Sequence, residues 1–166
     1  MSLNRLHADV VIVGAGPTGL TLANFLGGMG VSVLLVERNL TTVQEPRAIS
    51  IDDESMRTMQ AIGLHHEVGK IVASGYGSHY YSPARQRFLT VEPTSRDYGF
   101  DKRNAFQQPE LEQVLRDGLS RHASVRQMFG WEFQAPRPDR RRCGRHNRQP
   151  SHRPGARRQR AISGRL

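Results

Sequence analysis

Three glycines near the start of the chain fall at the spacing G-x-G-x-x-G, in the run Gly14-Ala15-Gly16-Pro17-Thr18-Gly19. The pattern makes demands on backbone shape. The first glycine forms a tight turn, the second lets a pyrophosphate approach the main chain, and the third brings a helix close to a strand. The phosphates then sit at a helix N-terminus, where free N–H groups and the positive end of the helix dipole stabilise the anion. Glu37 stands 18 residues beyond Gly19, where a carboxylate can accept hydrogen bonds from a ribose. Pro17, suited to the first turn of that helix, and Arg38, a cation next to Glu37, complete the set. A glycine-rich turn without function has the same six letters, so the flanking elements must decide.

Those elements have the required order. Ala8–Val13 is a nearly continuous β-branched run, the pattern of a strand buried on both faces in a parallel sheet. Between Pro17 and Met29 the apolar residues fit a helix that stops at Gly30, and Val31–Glu37 reads as a second buried strand. Strand, glycine turn, helix and strand make a right-handed βαβ unit, a Rossmann-like dinucleotide site in an α/β fold. Further on, Ser50 and Asp53 read as a capping box for a helix carrying Met56, Met59 and Ile62 and ending at Gly63. Tyr76–Tyr81 and Phe88–Val91 flank a polar turn and read as a hairpin whose aromatics pack on a sheet. Pro109 opens a helix with Leu111, Val114, Leu115 and Leu119 on one face, and Val125–Phe129 returns as a strand.

The overall charge of +9 is unevenly placed. Residues 1–133 hold 13 Lys and Arg against 14 Asp and Glu, whereas residues 134–166 hold 11 Arg and one acid, Asp139. Ile162 and Leu166 are the only large aliphatics in that tail, too few for a core, and disorder is expected there. Arginines without lysine or interleaved aromatics argue against specific nucleic-acid recognition, which stays as the alternative from another class, beside an NAD-dependent reductase. The single cysteine, Cys143, excludes an internal disulfide and a cysteine metal site. No apolar run is long enough for a signal or a membrane span, so a cytoplasmic protein without a membrane partner is expected. His65 and His66 follow Gly63 and read as cations complementing a helix C-terminus rather than metal ligands. No acid, base or nucleophile can be named.

The glycine pattern alone does not separate FAD from NAD. Two later blocks are more specific: Glu45-Pro46-Arg47-Ala48-Ile49-Ser50-Ile51-Asp52-Asp53-Glu54, continuing in Arg57-Thr58-Met59-Gln60, and Arg103-Asn104-Ala105-Phe106-Gln107-Gln108-Pro109. With them the chain resembles, over residues 8–133, the 3-(3-hydroxyphenyl)propionate hydroxylase branch of the FAD-dependent aromatic hydroxylases. Read from the residues alone, Arg47 is a solvated arginine or a phosphate partner, and Gln108 an N-terminal cap. The resemblance implies that Arg47 contacts FAD, that Gln108 lies along the ribityl chain, and that Arg103 is nearby. It also implies NAD(P)H and O₂ as co-substrates and a small phenolic substrate of the hydroxyphenyl alkanoate kind.

The chain departs from that family after residue 133. The family's later Asp-Gly and Gly-Asp motifs do not occur in the tail, so an incomplete, inactive domain is expected. A frameshift would produce such a tail from GC-rich coding sequence. The run from Arg140 to Gln149 can be written so that reading one base later gives Asp-Gly-Val-Ala-Val-Ala-Thr-Thr-Ala, a turn and an alternating strand.

Overall fold

The computed structural model describes residues 7–45 and 47–136, with the backbone of residues 160–162. Along the chain lie β1 (Val10–Val13), α1 (Pro17–Gly28), β2 (Val33–Glu37), β3 (Ser50–Ile51), α2 (Asp53–Ala61), α3 (His65–Gly69) and β4 (Ala73–Ser74). They are followed by β5 (Ser78–Tyr81), β6 (Arg87–Val91), β7 (Asn104–Ala105), α4 (Gln108–Gly118), a 3-10 turn at Leu119–Arg121, β8 (Val125–Phe129), β9 (Trp131–Phe133) and β10 (Arg160–Ile162).

The expected βαβ unit is present, and β8 joins it to give a parallel sheet in the order β1-β2-β8, with Val10 opposite Val33 and Val33 opposite Val125. β2 is central and buried on both faces. Its Val33 and Leu35 pack with Leu20 and Ala23 of α1 and with Leu115 and Leu119, while Leu34 and Val36 pack with Met128 on the other side. β1 departs from the expectation of two buried faces: only Ile12 is buried and Val13 is 59% exposed. Among the described residues β1 has a sheet neighbour on one side only, and its Val10 and Val11 are half-buried against the core.

α1 and α4 lie against each other through apolar side chains and one polar hub. Buried Asn24 donates to the carbonyls of Leu20 and Leu115, and its oxygen accepts from Arg121, which also donates to the carbonyls of Ile62, Gly63 and Gly118. The helical faces read from the sequence hold: Met56, Met59, Ile62, Leu111, Leu115 and Leu119 are buried, and Val114 is half-buried against them.

Three expectations are corrected. The N-cap of α2 is Asp52, whose carboxylate accepts the Ser55 N–H at 2.8 Å, because Ser50 is already committed to β3. His65 and His66 open α3 instead of closing α2, since Gly63 (φ +71°) and Leu64 redirect the chain at once. The hairpin forms from β5 and β6, yet Tyr80, Tyr81, Phe88 and Leu89 stay exposed because two strands alone supply no layer to pack on. The backbone of Arg160–Ile162 pairs parallel with β9. The rest of the expected disordered segment, residues 137–159 and 163–166, and with it the shifted-frame run, lies outside the described residues. No helix among the described residues is long and apolar enough to cross a membrane.

Candidate nucleotide-binding site

The three glycines have three different physical reasons. Gly14 adopts φ +102°, which side chains rarely tolerate, and its N–H donates to the Val36 carbonyl at the end of β2. A Cβ at Gly19 would overlap the Gly14 carbonyl oxygen, so here glycine is needed for packing. Gly16 has an ordinary extended backbone, φ −78°, and a Cβ added to it would meet no atom within 4 Å. Nothing among the described residues requires glycine at that position.

Glu37 is tied to the loop it was expected to serve. Its Oε2 accepts the Ala15 N–H at 2.9 Å and its Oε1 accepts the Asn39 N–H at 2.8 Å, which fixes the carboxylate beside the glycine turn. Each oxygen keeps further acceptor capacity, as a carboxylate offers about four lone-pair sites.

The N-termini of α1 and α2 differ in a way that bears on anion binding. α2 has the Asp52 cap and two acids, Asp53 and Glu54, in its first turn. α1 has Pro17 at its start, no side-chain cap and no acid in its first turn. Among the described residues no side chain caps its first N–H groups, and Glu37 reaches the turn only at Ala15, before the helix begins.

Arg38, directly after β2, and Arg47 are exposed. The backbone N–H of Arg47 and that of Ala48 both donate to Oε1 of Gln108, at 3.2 and 3.0 Å. Gln108 is therefore a buried clamp in the first turn of α4 and not the cap, which is Gln107. Sequence reasoning missed its partner. Glu112, fully buried, accepts from Nε2 of Gln108 at 2.7 Å and from the Val43 N–H at 3.0 Å. The signal was a Gln and a Glu four residues apart on a helix, a spacing that puts two side chains in contact. Arg103 is engaged away from the loop: it donates to Ser78 and Tyr76 and lies 4.6 Å from the Tyr76 ring centroid. A hydrogen bond with Ser50, and the Arg103 cation, hold the Tyr76 phenol below its ordinary value.

Pro17 and Thr18 of the glycine loop and Ala48 line a cleft of about 500 Å³ together with Leu22 and Phe25 of α1, Ile51, Met59 of α2 and Leu111 of α4. Among the described residues no group of three or more His, Cys, Asp or Glu converges on a metal position.

A parallel sheet, a glycine turn into an uncapped helix and an acid at the end of the second strand define a dinucleotide-binding domain of the Rossmann kind. The chain belongs to the FAD binding domain family, whose model matches residues 7–155. It is 44% identical over 128 residues to the 3-(3-hydroxy-phenyl)propionate/3-hydroxycinnamic acid hydroxylase of Klebsiella pneumoniae subsp. pneumoniae, covering 77% of this chain and 23% of that protein. To the protein of the same name from Comamonas testosteroni it is 44% identical over 126 residues, 76% of this chain and 21% of the relative. The chain thus spans less than a quarter of the length of these curated relatives. The crystal structure of p-nitrophenol 4-monooxygenase PnpA from Pseudomonas putida DLL-E4 superimposes with a TM-score of 0.69 at 21% identity, over 76% of this chain and 32% of that one. That likeness is one of fold.

Proposed function

We propose that this chain is the nucleotide-binding part of a flavin-dependent aromatic hydroxylase, with Gly14, Gly16, Pro17, Gly19 and Glu37 holding the adenosine diphosphate half of FAD. The observation that carries the reading is Gly16. Its missing side chain leaves space at the uncapped N-terminus of α1 that no atom of the described residues uses, and a β-carbon there would fill the approach of a pyrophosphate. Glu37, already oriented by Ala15, is the acceptor for ribose hydroxyls. Arg38 and Arg47 are the cations for the phosphates or the flavin edge, Gln108 holds the Arg47 loop in place, and Arg103 braces the segment before α4.

Bound FAD would supply the redox chemistry, with NAD(P)H and O₂ as co-substrates. The residues of this chain bind and orient it. The substrate class, a small phenolic acid, is supported by the names of the relatives at 44% identity. Calorimetric titration of FAD, with NAD as the comparison ligand, tests the reading. The chain should bind FAD in preference to NAD, and Gly16→Val should abolish binding. Equal FAD affinity in that variant would remove the claim.

A further inference from the structure

A buried acid accepts two hydrogen bonds beneath the loop that leads from β2 to β3. Glu112 is fully buried in α4, one helical turn beyond Gln108. Its two oxygens accept from Nε2 of Gln108 and from the backbone N–H of Val43, while the other end of the Gln108 amide accepts the N–H groups of Arg47 and Ala48. An amide can present either end. If the Gln108 side chain turned over, its NH₂ would face two N–H donors and its oxygen would face a carboxylate. Glu112, an acceptor at both oxygens, permits only one orientation. A leucine at 112 would fill the space without the desolvation cost of an acid, so packing alone does not call for this residue.

We propose that Glu112 is a positioning residue of the nucleotide site: directly and through Gln108 it fixes the backbone at Val43, Arg47 and Ala48, and Ala48 lines the same cleft as Pro17 and Thr18. The consequence for FAD rests on the function proposed above, whereas the clamp itself does not.

The test uses the full chain and two readouts, amide hydrogen exchange and FAD titration. Glu112→Gln keeps volume but must turn an NH₂ toward either Val43 or Gln108, so one of the two bonds is lost. Exchange at Val43, or else at Arg47 and Ala48, should quicken by about tenfold or more, while Leu34 and Leu35 in β2 keep their protection and report an intact fold. The paired change Gln108→Glu with Glu112→Gln reverses the polarity of the inner bond and retains all four, so slow exchange should return. FAD affinity should fall about tenfold in Glu112→Gln, and in an Arg47→Ala background the same substitution should cause no further loss.

Unchanged exchange in Glu112→Gln, or fast exchange persisting in the paired variant, overturns the proposal. So does an affinity loss of the same size in the Arg47→Ala background, because Glu112 would then act independently of Arg47. A wild-type chain that binds no FAD sinks the proposed function and the cofactor role together, and exchange alone then decides the clamp.

Discussion

Two loops contribute to the cleft, and they owe their shapes to opposite causes. The loop at 14–19 is set locally: a positive φ at Gly14, a close approach at Gly19, and the first turn of α1 directly behind it. Its one side-chain brace, Glu37, is 22 residues from Ala15. The loop at 43–48 has no such local design among its described residues. The N–H groups of Val43, Arg47 and Ala48 are satisfied by Glu112 and Gln108, which lie 60 to 69 residues later. One side of the site is written into a short motif, and the other is held by a distant helix. Substitutions should therefore act through backbone geometry on the first loop and through lost acceptors on the second.

The largest effect is expected at Gly19. A valine there must displace the Gly14 carbonyl, which is backbone and cannot swing aside, so a loss of about 3 kcal/mol or more and a melting temperature lower by ten degrees or more are expected in thermal unfolding. Gly16→Val in the same experiment should leave the melting temperature nearly unchanged, since its side chain enters open space. Equal destabilisation by the two would break the distinction between glycine kept for packing and glycine kept for approach.

An intermediate effect is expected at Gln108. Replacing it with alanine strands the N–H groups of Arg47 and Ala48 and one oxygen of Glu112, at a cost of about 2 kcal/mol in denaturant unfolding. A loss no larger than that of an exposed substitution would mean that the 43–48 loop keeps its shape by itself.

The smallest effect is expected just beyond that loop, at Asp52. Removing this cap with Asp52→Ala should cost about 1 kcal/mol. Hydrogen bonds from Ser55 hold its carboxyl below the ordinary value of 3.8. A depressed folded value means the contribution is complete above that ordinary value and is lost as pH falls through the lowered one. The stability curves of wild type and Asp52→Ala should therefore converge in acid, and a constant gap between them would refute the assignment of the cap.

The difference between the loops also explains what the sequence made legible. The βαβ unit, the glycine turn and the apolar faces of α2 and α4 could be read because their determinants are short-range: spacing, periodicity and the residues that stop helices. Gln108 could be read only as a cap or through resemblance, because its role depends on a loop 60 residues away that no periodicity connects to it. β1 and β2 make the same point. Both are apolar β-branched runs, yet β2 is covered on two sides and β1 exposes Val13, since burial depends on which neighbours a strand acquires in the sheet. Ser50 looked like a cap from spacing alone, and its place in β3, decided by pairing with Ala105, moved the cap to Asp52.

The dependence of the first-made unit on the last has a consequence in time. α1 waits for α4, whose Leu115 carbonyl is 91 positions beyond Asn24, and β2 waits for β8 to cover its second edge. At ribosomal rates of about 5–20 residues per second, β1, α1 and β2 emerge roughly 5–20 s before the elements that shelter them. For that interval Leu34 and Val36 belong to a strand with a free edge and little above or below it, the condition in which strands of separate molecules pair with each other. The yield of folded protein then depends on how many such nascent chains meet while the later half is still being made.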